Sequence, residues 1–409
     1  MQETNIYTYL TPIALFFVLL EAGACIVYKR DYLSFPEAIA NFGTALGNQT
    51  VNVLVAAGVY AVYSQLWENY RLFTIELSWW SFILLLLGVD FIFYWVHRWG
   101  HAINIMWAAH SPHHSAQEMN FMVALRASVT QRFCSFLFFW PLALVGFQPL
   151  HIYMMSGIHL FIAFLHHTEF IGKLGWFEKY FTTPSHHRVH HGVNFAYLDK
   201  NFGEFLIIWD KIFGSFAEEK EKVVFGIYDH PESWNPVRIN FHYFIVLWKY
   251  AAATPSWWDK IRVWFMPAGW RPRGIEPKEM VEITTENQIK FRPAMFEHAR
   301  PYLLVQLAVG VILMLGVISN LFGWNAGQRW LGAGLLWWHI VNWSGILEAK
   351  WWFWVSENLR IIVTALVFVA MNEMYQPSGP MFLLIAVSGA SLLWTNLFFR
   401  PRSPKLVPA

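Results

Sequence analysis

The sequence predicts an all-α integral membrane protein, a multi-pass helical bundle of about nine spans that includes one tight hairpin. A cytoplasmic histidine-rich site for two metal ions caps this bundle. Three observations carry that prediction. Of 409 residues, 56% are hydrophobic and only 14% are charged, well below the roughly one quarter usual in soluble domains. A series of apolar runs reaches membrane-spanning length. Eight histidines fall in three short clusters, HRWGH at 97–101, HSPHH at 110–114 and HRVHH at 187–191, each at the end of an apolar stretch.

The spans are read in order. Tyr9 to Tyr28 and Gly43 to Tyr63 come first, then Leu77 to Val96, whose twenty residues carry Asp90 as their only charge and suffice for a hydrocarbon core of about 30 Å. Phe133 to Phe147 and Leu150 to Leu165 are separated only by Gln148 and Pro149, which predicts a tight helical hairpin. Tyr302 to Leu321, Leu331 to Ile346, Ile361 to Met371 and Met381 to Phe399 complete the set. Three regions follow: a membrane metal-binding part (1–217), a cytoplasmic or interfacial connector (218–300) and C-terminal transmembrane helices (301–409).

Basic residues beside the spans set the orientation, because cytoplasmic flanks collect Lys and Arg. Lys29, Arg30, Arg98, Lys173, Lys179, Arg188, Arg400, Arg402 and Lys405 fit on one side, which places all three histidine clusters in the cytoplasm. The first segment lacks a basic flank and contains Glu21, so no cleaved secretory signal is expected. The net charge of +2 gives no sign of a nucleic-acid partner. Cys25 and Cys134, the only cysteines, exclude an iron–sulfur cluster, a CxxC redox pair and a disulfide framework. No nucleotide-binding, P-loop or haem-attachment motif is present, so a redox reaction here takes its electrons from another molecule.

Spacing supplies the metal argument. On a helix, residues three and four apart share a face, so His97 pairs with His101 and each H-x-x-H-H triplet offers nitrogens to a common point. Imidazole suits iron, copper, zinc and nickel. Eight such ligands exceed one ion's needs and match two. A metal transporter or a b-type cytochrome is the competing class. Transporter ligands belong near the bilayer midplane, and a cytochrome pairs single histidines across helices, whereas these clusters stand at segment ends.

From Asp90 to Phe216 the chain resembles the fatty acid hydroxylase superfamily. DFIFYWVHRWGH, NIMWAAHSPHHS, FLHHTEF, TPSHHRVHHG and LDKNFGEFLIIWDKIFGSF match its motifs in order. Within it, MNFMVALRAS, EKEKVVFGIYDHP and TPSWWDKIRVWFMPAGWRPRG resemble the alkylglycerol monooxygenase group. The resemblance implies an O2-dependent di-iron lipid monooxygenase with His97, His101, His110, His113, His114, His167, His187, His190 and His191 as metal ligands. His159, His166 and His186 are left as additional ligands or supporting neighbours. It implies ether-lipid cleavage to a fatty aldehyde, with a sterol, hopanoid or fatty acyl chain as the alternative substrate. It also implies tetrahydrobiopterin or a reductase as external donor, although no pterin-contacting motif is readable. Zinc is expected to replace iron on purification, since the Irving–Williams order favours it. The site is expected in the inner membrane of a bacterium or the endoplasmic reticulum of a eukaryote.

Four further residues are candidates for the chemistry. Asp90 lies two turns before His97 on the same face, placed to accept a proton from a ligand imidazole. Asp199 matches an acidic position of the closing motif, where helix capping or pairing with Lys200 is the competing role. Glu118 and Asn120 line either the cavity or an exposed loop. Trp257 to Phe265 in the connector alternates bulky apolar and charged residues, which predicts a helix in the interface plane serving as a lid, as a reductant dock or as a linker only.

Overall fold

The computed structural model describes residues 7–276, 279–319, 322–374, 379–400 and 406–407. Arg402 and Lys405, used in the orientation argument, lie outside the described residues, as do the last two residues of the span expected at Tyr302 to Leu321. The regular structure of the described chain is helical apart from the short strands Met295–Phe296 and Leu406–Val407, which pair antiparallel. It divides into two units.

The first unit comprises residues 1–33, 54–230 and 240–289. It holds α1 (Tyr7–Val27), the second part of α2 (Phe35–Tyr70), α3 (Trp79–Ala102), α4 (Asn104–His114), α5 (Gln131–Phe136), α6 (Trp140–Val145), α7 (Pro149–Leu165), α8 (Pro184–His190), α9 (Ile208–Ile212), most of α10 (Pro236–Ala253) and α11 (Trp257–Arg262). The 36 residues of α2 extend about 54 Å at 1.5 Å per residue, well beyond the expected 21-residue span. Ser78 opens α3 with a reciprocal capping box to Ser81, satisfying donors that the first turn otherwise leaves orphaned.

The expected hairpin is present with a broken first arm. A continuous helix over Phe133 to Phe147 is replaced by α5 and α6, because Pro141 at the start of α6 has no N–H and its ring collides with the carbonyl four residues earlier. Tyr63, Leu85, Val89, Leu142, Phe147, Ile152 and Met155 form the core that joins α2, α3, α6 and α7. At Gly146 (φ 129°) a Cβ would lie 2.2 Å from the Phe73 carbonyl oxygen, so this turn admits only glycine.

The second unit comprises residues 34–53, 231–239 and 290–409, with α12 (Ala299–Ile318), α13 (Ala326–Leu347), α14 (Phe353–Met374) and α15 (Gly379–Phe398). Small residues let its helices approach closely: a Cβ on Gly47 would stand 2.9 Å from Ile340 and Trp337. Its interior carries a polar network. Arg360 donates to both oxygens of Glu357 at 2.7 and 2.8 Å and to Gln306, while Tyr302 and Asn342 also donate to Glu357.

Among the described residues, five helices are long and apolar enough to cross a membrane: Tyr9–Val27, Phe35–Tyr70, Trp79–Ala102, Ala299–Ile318 and Phe353–Ala370. Pro149–Leu165 and Ile385–Phe398 are apolar but shorter. Exposed Phe16, Leu19, Trp79, Trp80 and Leu84 on α1 and α3 are the surface such helices offer to lipid.

Removing one partner from a buried ion pair leaves an uncompensated charge, at a cost of about 3–5 kcal/mol. Arg360→Ala is therefore expected to lower the thermal unfolding midpoint in detergent strongly, whereas exposed Lys249→Ala leaves it within about 0.5 kcal/mol. Equal melting of Arg360→Ala and the parent chain would refute the role of the network.

Candidate metal centre

Four short segments of the first unit deliver the histidines. The last two turns of α3 carry His97 and His101. The chain breaks at Ile103, extended at φ −115°, ψ 127°, and α4 then presents His110, His113 and His114. The end of α7 supplies His167, and α8 with its C-cap supplies His187, His190 and His191. All nine are at most 9% exposed. Their ligand atoms fall into two groups, each within 4.8 Å: His97, His101, His110, His114 and His190, and His113, His167, His187 and His191.

The geometry inside each group fits a cation. In the first, Nε2 atoms stand at 3.1 Å (His97–His110), 3.0 Å (His110–His114) and 3.2 Å (His101–His114). In the second, His113–His167 is 3.2 Å and His167–His187 is 3.0 Å. A ring nitrogen has one in-plane proton or one lone pair, so the Nε2 atoms of His110, His114 and His167 cannot satisfy two imidazole partners each. The Nε2 atoms of His190 and His191 are buried with no partner. Nitrogens at right angles around an ion at about 2.1 Å stand roughly 3.0 Å apart, close to the observed separations. The residues fit two metal ions, one with five imidazoles and one with four.

The outer nitrogens fix tautomer and direction. Nδ1–H of His97 donates to the Phe202 carbonyl at 2.9 Å, that of His190 to Lys200 at 3.0 Å and that of His167 to Ala163 at 2.9 Å. Each bond leaves Nε2 with its lone pair aimed into the group. Burial, followed by neighbouring imidazoles, holds His110, His114, His187, His190 and His191 well below the usual histidine pKa. His113 is taken down to about 4, mainly by burial. Neutral imidazoles are the form a metal binds.

The segment 198–216 is the scaffold beneath these bonds. Asp210 accepts from the backbone of Phe202 and Gly203 at 2.8 and 2.7 Å and from Ser215. Asn201, in the left-handed region at φ 55°, bonds the carbonyls of His186 and Ala217. Asp90 is fully buried and faces this segment: it accepts from Phe205 N, Leu206 N and Trp209 Nε1, and its other partner is His159 Nε2 at 2.8 Å. The imidazole on Asp90 is thus His159, which belongs to neither of the two histidine groups, rather than His97 as the helix face suggested. Side chains in a bundle choose partners across helices: His159 on α7 reaches Asp90, whereas His97, seven residues on, stands about 10 Å further along α3.

The other candidates are placed as follows. Asp199 is 73% exposed, with its carboxylate 3.6 Å from His101 Nδ1, beyond hydrogen-bond range. Asn120 donates to the Tyr32 carbonyl at 2.7 Å and accepts from Met122 N, tying a loop to the residues after α1. Glu118 is buried beside it. Glu21 on α1 accepts from Phe121 N and Thr168 Oγ1, which fixes that loop to the segment after His167. His166 is buried and groups with His187 and Glu204, and His186 packs against Phe216.

Two contributors escaped the sequence reading. Glu204 is 2% exposed and lies 3.8 Å from His97 Nδ1. Burial, then Asp90 and Asp210, push its carboxyl well above the usual range. The connector is the second. Ile103 bridges to Pro267, Asn104 N and Ile105 N donate to Met266 and Trp264, and Asn104 Nδ2 donates to Val263 at 2.8 Å. The residues after α11 thereby brace the break between the first two clusters. Only α11 is helical within Trp257 to Phe265, and Trp257, Trp258, Ile261 and Phe265 are exposed.

Comparison with known proteins places this geometry in context. Residues 82–215 match the fatty acid hydroxylase family. The chain is 42% identical over 307 residues to alkylglycerol monooxygenase of Homo sapiens, covering 73% of this chain and 68% of that protein. It is 37% identical over 281 residues to the Xenopus tropicalis enzyme of that name (67% and 62%) and 34% identical over 300 residues to the Danio rerio one (71% and 65%). No solved structure matches the chain.

Asp90→Asn turns an NH2 toward donors that need an acceptor. Loss of such an outer partner typically costs 10–100-fold in metal affinity, and that loss is expected in equilibrium dialysis of the solubilised protein against Co2+. Unchanged affinity would show that the closing segment holds its place without Asp90.

Proposed function

This chain belongs to the alkylglycerol monooxygenase family, and on that premise we propose that it is an O2-dependent membrane monooxygenase of ether lipids. It hydroxylates the carbon next to the ether oxygen of an alkylglycerol-type lipid. The observation that carries this reading is the pair of adjacent, buried, all-imidazole groups at the ends of apolar helices.

His97, His101, His110, His114 and His190 would hold one iron, and His113, His167, His187 and His191 the other. When bound, the pair supplies the activation of dioxygen needed to oxidise an unactivated C–H bond. One oxygen atom enters that bond, the other leaves as water, and an external donor provides two electrons and two protons. The product is a hemiacetal, which separates into a fatty aldehyde and a glycerol derivative. Tetrahydrobiopterin is the donor we favour, by family membership.

The chain's own residues position and exclude. The Nδ1–H bonds to Phe202, Lys200 and Ala163 preset ligand directions, so little reorganisation accompanies the reaction. Apolar helices keep water from the site and receive the substrate from the bilayer. A small, partly open apolar pocket is lined by Val59, Tyr60, Phe139, Ile152 and Tyr153. Ser156, also on its wall, lies ten residues before His166, about 15 Å along the chain at helical rise. We place the histidines in the cytoplasm, on the side marked by Lys29, Arg30, Arg98, Lys173 and Arg188, within the nine-span arrangement read from the sequence.

Protein loaded with ferrous iron and given alkylglycerol, tetrahydrobiopterin and oxygen is expected to release fatty aldehyde. His113→Ala and His190→Ala are expected to reduce the rate by at least about 10³-fold, the loss of roughly 4 kcal/mol of barrier lowering. No aldehyde from the iron-loaded parent chain, with product appearing from a sterol or acyl lipid, would transfer the reading to that substrate.

A further inference from the structure

The connector presents two apolar faces, and packing against the metal-binding part uses only one. On α10, Tyr243, Leu247 and Ala251 recur every four residues along one face, and with Val263 they form a buried cluster with Ala108 of α4. A second stripe has no such role. Phe241, Ile245 and Trp248, four and three residues apart, share another face of α10 and are 37–67% exposed. Further on, Trp257, Trp258 and Phe265 are 65–80% exposed.

Depth is the first observation that says what covers these side chains. The 24 residues of α3 extend about 36 Å at helical rise, more than the roughly 30 Å of a hydrocarbon core and less than the 40–45 Å of a whole bilayer. A span by α3 therefore ends among the lipid head groups. Residues 264–268 are tied to that end: Ala268 N donates to the Ala102 carbonyl, and Asn104 N and Ile105 N donate to the carbonyls of Met266 and Trp264. A water-borne partner would have to displace head groups to reach them.

Charge is the second. From Trp248 to Ile275 the chain holds Lys249, Lys260, Arg262, Arg271 and Arg273 against one acidic residue, Asp259. Asp259 is buried and paired with Arg262 at 2.7 Å, so the surface carries the excess. Lys260 stands over the Trp257 ring and Arg271 over that of Tyr250. Aromatic bodies with cations beside them match a boundary that is apolar below and anionic above. We propose that α10 and α11 seat this chain on an anionic phospholipid surface, that of the leaflet in which α3 ends. The apolar stripe enters the acyl boundary, and Lys249, Lys260, Arg271 and Arg273 meet the phosphates. This rests on α3 crossing the membrane and is independent of what the histidines hold.

The test uses the full-length chain with Cys25→Ala and Cys134→Ala, in nanodiscs of phosphatidylcholine and phosphatidylglycerol. Single cysteines at Trp248→Cys, Trp258→Cys and Phe265→Cys carry a polarity-sensitive fluorophore. Leu84→Cys, on the exposed face of α3, is the lipid reference, and Glu286→Cys, at an exposed polar position, is the water reference. Nitroxide-bearing lipid is expected to quench the three labels, and iodide to leave them bright. Nitroxide on phosphatidylglycerol is expected to quench at least about 2-fold more than on phosphatidylcholine. Lys249→Gln, Lys260→Gln and Arg273→Gln together are expected to remove that preference. Iodide quenching at all three positions, with lipid quenching kept at Leu84→Cys, overturns the proposal, leaves the α3 span intact and gives the surface to a water-borne partner. Equal quenching by the two lipids overturns the anionic assignment. Iodide quenching at Leu84→Cys as well overturns the membrane placement itself. Three separate exposed positions keep the outcome independent of the folding of any one variant.

Discussion

Nine imidazoles buried against one another are the constraint on which the rest of this chain depends. Each ring has two nitrogens and each nitrogen needs a partner once water is excluded. Backbone carbonyls satisfy the outer nitrogens of His97, His167 and His190. The inner nitrogens crowd to 3.0–3.2 Å, where imidazoles cannot all satisfy one another and a shared cation can. The fold therefore has to bring carbonyls and helix ends to fixed places around two points, and most of its unusual features follow from that.

Positioning falls largely to residues that touch no inner nitrogen. Asp90 and Asp210 are buried carboxylates whose acceptors are spent on the backbone of residues 202–206 and on Trp209 and Ser215. The segment 198–216 in turn offers the Lys200 and Phe202 carbonyls to His190 and His97. Its left-handed residues Asp199 and Asn201 are conformations a chain keeps only when the surroundings enforce them. Arg188 adds a further tie, pairing with Glu219 and donating to the carbonyls of Thr168 and Ile171.

The connector joins this scheme through the break at Ile103. A helix running unbroken from α3 into α4 would carry His110 away along the axis. The extended residue turns the chain so that His110 meets His97, and the hydrogen bonds from Asn104 and Ile105 to residues 263–266, with Ala268 N donating back to the Ala102 carbonyl, hold the turn. A segment that the sequence presents as a surface linker thus also has a structural duty, while its exposed tryptophans remain available to an interface.

Composition and spacing by themselves determined the helical membrane class, the three clusters and, through resemblance, His167. These signals are local: apolar runs register as hydropathy, and helical periodicity brings residues four apart to one face. The division of the nine histidines into groups of five and four, the separation of His113 from His110 and His114, the engagement of Asp90 with His159 rather than His97, and the burial of Glu204 were decided only by the tertiary structure. The same holds for the split first arm, where one proline outweighed an apolar run. Periodicity says which residues share a face, but the partner across that face is chosen by packing between segments as distant as Asn104 and Val263, 159 residues apart in sequence, and no local pattern encodes it.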